Sequence, residues 1–251
     1  MTVDAAVDGV ADVAVARPPV LELIDVEAGY NQFHALFGVS LTVPAGGAVA
    51  LIGPNGAGKT SLARVASGLV VPTAGRVLID GVDMTGRPAH HFAQAGVAQA
   101  PEGRSIFSTL TVEENLSLTF RATAGRHGVK DALDRAYDLF PRLGERRKQN
   151  AGSLSGGEQR MLTLARVLVW EPRLLVADEL SLGLAPIICT EVYLVLERIL
   201  ETGTALLIVE QHIDHALALA HAVVGLERGH VTFEGGPDQI DDRLSYFLTR
   251  N

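Results

Sequence analysis

The segment Gly53-Pro54-Asn55-Gly56-Ala57-Gly58-Lys59-Thr60 follows an apolar run over residues 48–52 and precedes a helix-prone stretch. Its glycines let the backbone fold closely around a polyphosphate, so that successive N–H groups point inward. The helix that follows directs the positive end of its dipole to the same place. A simple glycine-rich turn is the alternative, but it does not require these eight residues in this order between a buried strand and the start of a helix. The segment therefore predicts a phosphate-binding loop.

The end of this loop supplies a cation and hydroxyl groups. Lys59 is expected to offset the charge of the terminal phosphates. Thr60, with Ser61 beside it, is expected to give the hydroxyl that binds a Mg²⁺ ion bridging those phosphates. These residue types together predict a nucleotide site.

Composition limits what surrounds this site. A chain of 251 residues with 47% hydrophobic content is long enough for one large α/β domain, or for one domain with an inserted lobe. The formal net charge of −8 opposes attraction to phosphate backbones, so we expect no nucleic-acid partner. The single cysteine, Cys189, excludes an internal disulfide and favours a reducing compartment.

The first segment, residues 1–19, alternates Asp with Val and Ala and ends in Arg17-Pro18-Pro19. It lacks the basic start of a signal peptide and predicts a disordered tail, so the folded domain is expected over residues 20–251. No window approaches the roughly 18 continuous apolar residues that a membrane-spanning helix needs. Any membrane role is therefore expected to depend on a partner.

A small antiparallel β lobe is predicted ahead of the loop, because apolar residues recur at strand spacing over residues 21–30 and 36–43. Tyr30 lies at the end of the first of these strands. Its ring could lie on a purine base, since an aromatic face stacks on planar π-systems, or it could pack in the core. The phosphate loop downstream favours the base.

A helical insert is predicted over about residues 103–160. Thr111 and Glu114 have the spacing of a capping box, which opens a helix. Residues 130–147 are charged and helix-periodic, with Leu133, Tyr137 and Phe140 on one face. This helix is either a partner-binding surface or an ordinary solvated helix.

A second anion-binding element is predicted at Leu154-Ser155-Gly156-Gly157-Glu158-Gln159, ahead of a helix that runs to Pro172. Ser155 and Glu158 again form a capping box. Two glycines in the first turn weaken a helix by about 1 kcal/mol each relative to alanine, so we expect a group to approach this backbone closely. Helix N-termini with bare N–H groups bind phosphate.

Two further strands are predicted to end at the same sheet edge. Residues 174–177 are apolar and lead into Asp178 and Glu179, typical of a parallel strand buried on both faces. Asp178 is expected in the Mg²⁺ shell, and Glu179 is expected to orient or deprotonate water. The strand over residues 205–209 delivers His212, either a sensor of the terminal phosphate or part of a solvent-facing cluster.

The chain resembles the ATP-binding subunits of ABC transporters from Leu21 to about Gly235. The resemblance implies an α/β fold with a P-loop NTPase core, in which flanking helices cover a mostly parallel sheet beside the antiparallel lobe and the helical insert. It also implies that Ser155, Gly156 and Gly157 contact the γ-phosphate held by a second subunit, so that two ATP molecules lie between the subunits of a head-to-tail dimer, which is either homomeric or heteromeric.

Within that family, Ala100-Pro101-Glu102-Gly103-Arg104 and Ser181-Leu182-Gly183-Leu184-Ala185-Pro186 resemble the shorter ATPase of branched-chain amino acid importers. That alignment implies that Glu102 links the metal site to the helical insert, although Glu102 could instead pair with Arg104. Leu180, where the family usually has proline, and Gln99, where an aromatic or aliphatic residue is common, depart from the pattern. Gln99 is expected on the preceding strand.

The resemblance implies an ATPase at the cytoplasmic face of the membrane, bound to transmembrane permeases that receive solute from a binding protein. Two alternatives stay open: a permease-free ATPase such as that of iron–sulfur cluster assembly, and an exporter subunit for lipid or polysaccharide.

Overall fold

The computed structural model describes residues 18–101, 105–123, 125–168, 171–211 and 213–240. Most of the predicted tail, residues 1–17, lies outside these ranges. The strands within them are β1 (Leu21–Tyr30), β2 (Phe33–Val43), β3 (Ala48–Ile52), β4 (Ala74–Ile79), β5 (Val82–Asp83), β6 (Val97–Ala100), β7 (Leu174–Asp178), β8 (Ala205–Glu210), β9 (Ala222–Glu227) and β10 (His230–Gly235). The α-helices are α1 (Lys59–Ala66), α2 (Ala89–Gln94), α3 (Val112–Thr123), α4 (Gly125–Leu139), α5 (Pro141–Glu145), α6 (Gly156–Leu168), α7 (Pro186–Glu201) and α8 (Ile213–Leu219).

The smaller sheet is antiparallel and has the strand order β2-β1-β4-β5. Buried and exposed residues alternate along much of β1, as expected for a strand with one face on the core. Its hairpin to β2 is tighter than predicted, because Asn31 adopts a left-handed φ of 53° and Tyr30 already pairs with Phe33. Strand β2 therefore begins at Phe33 rather than at residue 36.

The larger sheet has the order β10-β9-β3-β8-β7-β6, in which only β10 is antiparallel to its neighbour. Strands β3, β7 and β8 are buried along their whole length. Ala48, Ala50 and Ile52 pack into the core on the helical side, whereas Val49 and Leu51 pack into the core beside the antiparallel sheet. The predicted α/β class, with a mostly parallel sheet and an antiparallel lobe, is confirmed.

Helices α3 to α5 lie between β6 and α6 in the chain. The capping box that opens α3 is formed as predicted, since the Glu114 carboxylate accepts hydrogen bonds of 2.8 Å from both the N–H and the hydroxyl of Thr111. The buried Asn115 then ties the preceding loop to α3 by exchanging hydrogen bonds with the Phe107 backbone. Within the described ranges, the helices are all too short or too polar to cross a membrane.

The strand order brings three chain segments to one edge of the larger sheet. Strand β8 lies between β3 and β7, with Ile52 beside Glu210 and Asp178 beside Val209. Since these strands are parallel, their carboxyl ends meet at the same edge, where ligands bind in open α/β sheets.

Candidate functional site

Three glycines shape the predicted phosphate loop. Gly56 and Gly58 have φ values of 76° and 105°, which glycine adopts without steric cost. A side chain at Gly58 would come within 2.7 Å of the Ala35 carbonyl oxygen, and one at Gly53 would collide with the Leu226 carbonyl oxygen. No described atom lies within 4 Å of a Cβ position at Gly56, so the backbone there is open to a ligand.

Helix α1 begins directly at the end of this loop, with Gly58 at its N-cap and Lys59 as its first residue. The cap residue has no side chain to accept a hydrogen bond, and the first turn carries no acidic residue. The first N–H groups of a helix have no partner inside the helix, and the dipole makes this end positive. This end of α1 is therefore suited to an anion.

The Lys59 ammonium lies inside the loop, and the residue is 4% exposed. Its Nζ donates hydrogen bonds to the carbonyl oxygens of Gly53 at 2.8 Å and Pro54 at 3.2 Å. It also lies 3.4 Å from the Glu179 carboxylate. The cation predicted from the end of the loop thus meets the carboxylate predicted from the end of β7.

Thr60 and Asp178 are brought together from opposite ends of the site. The Thr60 hydroxyl donates to an Asp178 carboxylate oxygen at 3.4 Å, and Asp178 is 1% exposed. Both are hard oxygen donors, the type that Mg²⁺ prefers, and they fit two positions of its shell beside phosphate and water. The described residues include no group of three His, Cys, Asp or Glu side chains that would hold a metal ion without a ligand.

Glu179 follows β7 in an unusual backbone conformation, with a left-handed φ of 48°. Its N–H donates to the Val209 carbonyl oxygen at 2.8 Å. Its own carbonyl oxygen accepts hydrogen bonds from Leu182 N–H at 3.3 Å and from the buried Arg160 guanidinium at 3.4 Å. These backbone contacts orient the side chain, which pairs with Lys59.

The predicted residues enclose a cavity of about 390 Å³ at the sheet edge. It is lined by Asn55, Gly56, Gly58, Lys59, Thr60, Ser61, Glu179, Leu182 and Gln211. Leu182 and Gln211 were not predicted as site residues. Gln211 directly follows β8, so its position after a buried parallel strand was a usable signal, whereas Leu182 lies in an irregular loop whose path no local pattern predicts.

Tyr30 lies outside the lining of this cavity, on the antiparallel sheet, and is 39% exposed. Its hydroxyl accepts a hydrogen bond of 3.1 Å from Arg64, which belongs to α1. The ring is therefore tied to the helix that starts at the phosphate loop, while much of it remains accessible to a ligand.

The predicted second anion-binding element forms the start of α6. The Ser155 N–H and hydroxyl both donate to the Glu158 carboxylate at 2.9 Å, and the Glu158 N–H donates back to the hydroxyl at 3.3 Å. Glu158 also pairs with Arg146 at 2.8 Å. None of residues 155–158 is among those that line the cavity around Lys59, so this element belongs to another surface of the chain.

The two glycines of this element differ in their surroundings. A side chain at Gly157 would collide with Ile188 of α7, so packing inside the chain already explains that glycine. At Gly156 the nearest described atom, a methyl carbon of Leu184, would lie 3.9 Å away. Of the two, only Gly156 could therefore carry a side-chain carbon without a clash inside the chain.

Two predicted site residues, Glu102 and His212, lie outside the described residues. Gln99 lies on β6, as expected from its position before Pro101. Its side-chain oxygen is buried without a hydrogen-bond partner among the described residues. Gln99 lines a separate cavity of about 440 Å³, together with Thr119 and Arg166.

Comparison with known proteins agrees with this geometry. The ABC transporter family profile matches residues 36–181. The high-affinity branched-chain amino acid transport ATP-binding protein BraG of Pseudomonas aeruginosa is 40% identical over 206 residues, which cover 82% of this chain and 88% of that protein. The lipopolysaccharide export system ATP-binding protein LptB of Escherichia coli is 33% identical over 219 residues, which cover 84% and 88% of the two chains.

Among solved structures, the ADP conformation of MJ1267, an ATP-binding cassette of an ABC transporter, superimposes with a TM-score of 0.79 at 25% identity and covers 90% of this chain and 95% of that one. The profile match spans more than half of the chain and includes both the phosphate loop and the Asp178-Glu179 pair. The chain therefore belongs to the ABC transporter family of ATP-binding proteins, and it is an ATPase.

Proposed function

We propose that this ATPase is the motor subunit of an importer for branched-chain amino acids or a related small polar solute, bound at the cytoplasmic face of the membrane. The observation that carries the proposal is the 40% identity to the Pseudomonas relative, whose name states branched-chain amino acid transport. The Pro101-Glu102-Gly103-Arg104 pattern supports the same assignment. Transmembrane permeases would be its direct partners, and a solute-binding protein would act on those permeases.

ATP would bind with its phosphates in the loop between Gly53 and Thr60. The open backbone at Gly56 and the start of α1 supply N–H groups to the phosphate oxygens. In the structure, the Lys59 ammonium is shared between two carbonyl oxygens and the Glu179 carboxylate. The more concentrated negative charge of the β- and γ-phosphates would draw this ammonium away from Glu179.

Thr60 and Asp178 would hold Mg²⁺ through their side-chain oxygens. When bound, the ion would supply positive charge that offsets the charge developing on the phosphates during phosphoryl transfer. The 3.4 Å contact between the two side chains supports this role, because it brings two hard oxygen donors together beside the phosphate loop.

Glu179 would act as the general base that orients and deprotonates the attacking water. Once Lys59 turns to the phosphates, the Glu179 carboxylate loses its ion pair and becomes free to accept a proton. Its backbone is held at both its N–H and its carbonyl oxygen, so the side chain keeps its direction while the lysine moves. A positioned base contributes about 10²–10⁴-fold to the rate.

Hydrolysis would require a second ATPase subunit, identical to this chain or different from it. Residues 155–158 form a helix start that does not line the chain's own phosphate cavity. The open backbone at Gly156 supports contact with the γ-phosphate bound by the partner subunit. Each subunit would thus complete the site of the other in a head-to-tail dimer.

The remaining sequence-derived roles complete this scheme. Tyr30 would stack on the adenine base, Ser61 would assist Thr60, and His212 would sense the γ-phosphate. Glu102 would reach the Mg²⁺ shell directly or through water and would report the state of the nucleotide to the helical insert.

The competing function is export, which the 33% identity to LptB of Escherichia coli favours. An uptake assay separates the two. Deletion of the gene from its host should lower uptake of labelled leucine, isoleucine and valine, with rescue by the wild-type gene but not by the Glu179→Gln variant. Unchanged uptake together with loss of a lipopolysaccharide or lipid from the outer surface would refute the importer assignment.

A further inference from the structure

Glu210 is a buried carboxylate at the carboxyl end of the central strand β8. The residue is 2% exposed, although the five residues before it in the strand are all apolar. Burial raises the pKa of its carboxyl group, because the charged form is poorly solvated there. An apolar side chain would fill such a position at lower cost, so a carboxylate here is expected to have a specific partner.

One such partner is Ser181, in the loop that follows β7. One Glu210 oxygen accepts the Ser181 N–H at 3.1 Å, and the other accepts the Ser181 hydroxyl at 2.8 Å. Both hydrogen bonds are buried. A carboxylate that accepts two hydrogen bonds from one residue fixes the direction of that residue as well as its distance.

The loop held in this way carries the proposed base. Glu179 lies two residues before Ser181 and has a left-handed φ of 48°. This conformation is uncommon for residues other than glycine, asparagine and aspartate, and it persists only where the surroundings hold it in place. On the near side, the Glu179 N–H is bonded to Val209 of β8. On the far side, the hydrogen bonds between Ser181 and Glu210 hold the loop to the same strand.

Glu210 also relates this loop to the phosphate loop. Its neighbour across the sheet is Ile52, the residue directly before Gly53. The loop after β7 also contributes Leu182 to the cavity and places Leu184 beside Gly156. The Ser181–Glu210 contact therefore lies among the phosphate loop, the base and the start of α6.

We propose that Glu210 is a positioning residue for ATP hydrolysis: through Ser181 it holds the loop after β7, so that the Glu179 carboxylate stays directed at Lys59 and the phosphate cavity. The inference rests on the proposed role of Glu179 as general base. Glu210 itself neither contacts phosphate nor transfers a proton in this scheme.

The test is steady-state Mg-ATP hydrolysis by the full-length chain and its variants. Glu210→Gln keeps one acceptor oxygen, and Ser181→Ala keeps the backbone hydrogen bond, so the second variant is informative even where the first fails to fold. Each should lower kcat about tenfold or more while KM for ATP changes less than about twofold, because orientation is lost rather than ground-state binding. The matched control is Ser67→Ala, which removes another buried hydroxyl, one that donates to the Ala63 carbonyl oxygen at 2.8 Å at the end of α1. It should leave both constants unchanged.

A double-mutant cycle with Glu179→Gln separates positioning from a general structural role. If Glu210 acts by aiming Glu179, then Glu210→Gln should cause no further loss of kcat once Glu179 is glutamine. Additive losses, equal effects on kcat and KM, or wild-type kcat in both Glu210→Gln and Ser181→Ala would overturn the proposal. Wild-type hydrolysis by Glu179→Gln alone would instead refute the proposed role of Glu179.

Discussion

Replacing Gly156 by alanine should separate stability from activity. The substitution meets no steric obstacle inside the chain, since the nearest described atom would lie 3.9 Å from the added carbon. Alanine is favoured over glycine in a helix interior by about 1 kcal/mol, and because Gly156 is the first residue of α6 the gain there is at most this value. The folded chain should therefore gain stability, with a rise in Tm of up to about 2–4 °C for a domain of this size. Thermal unfolding of the isolated chain measures this gain.

The same variant should hydrolyse ATP poorly. If the γ-phosphate of the ATP bound by the partner subunit approaches the Gly156 backbone, the added methyl group would displace that phosphate. A displacement of about 1 Å lowers the rate about 10²-fold. Hydrolysis is measured at saturating Mg-ATP, and dimerisation is followed by light scattering. Wild-type hydrolysis by a Gly156→Ala chain that is fully folded would refute the reasoning that a ligand approaches this backbone.

Gly157 provides the matched comparison. Alanine at this position would collide with Ile188, and overpacking costs about 1–3 kcal/mol, which exceeds the gain in helix propensity. Gly157→Ala should thus lower Tm, and Ile188→Ala, which removes the Cγ2 atom that the new methyl group would meet, should cost less stability in that chain than in the wild type. Equal stability effects at Gly156 and Gly157 would contradict this packing argument.

Three further predictions follow from the site and the insert. Glu179→Gln should keep ATP binding but lower kcat by about 10²–10⁴-fold, with ATP-bound dimers accumulating in gel filtration; normal turnover would exclude it as the base. Lys59→Ala and Ser155→Ala chains should each be inactive alone, whereas their mixture should regain one intact composite site in a homomeric dimer; no regain of hydrolysis would argue against a homomeric head-to-tail dimer. Hydrogen bonds from Thr111 lower the pKa of Glu114 below 4.5, so this carboxylate stabilises the fold above that pH and loses its contribution on acidification. Urea unfolding at several pH values should show the difference between wild type and Glu114→Gln shrinking as pH falls, and a constant difference would refute the assignment.

Local sequence patterns are sufficient to predict much of the site. The glycine spacing before Lys59 predicts a loop that admits phosphate, because glycine adopts the positive φ values found at Gly56 and Gly58 without steric cost. An apolar run that ends in Asp178 predicts a buried parallel strand. The Thr111–Glu114 capping box spans a single helical turn, and its hydrogen bonds form as predicted. Each of these features depends on residues within a few positions of one another.

The hydrogen bonds that assemble the site join residues far apart in the sequence. Thr60 meets Asp178 across 118 positions, and Ser181 meets Glu210 across 29. These pairs follow from the strand order, which places β8 between β3 and β7. Strand order depends on which apolar faces cover one another over the whole domain. No local period encodes it.

The glycine pair of α6 illustrates the difference. Helix propensity predicts that some group must approach both Gly156 and Gly157, because glycine weakens the first turn. The folded chain shows that Ile188 takes that place at Gly157, whereas at Gly156 an added carbon would meet only Leu184, at an ordinary contact distance of 3.9 Å. The local sequence shows only that both positions are glycine. The packing of α7 against α6 shows that the fold requires glycine at 157, whereas glycine at 156 can be explained by a ligand.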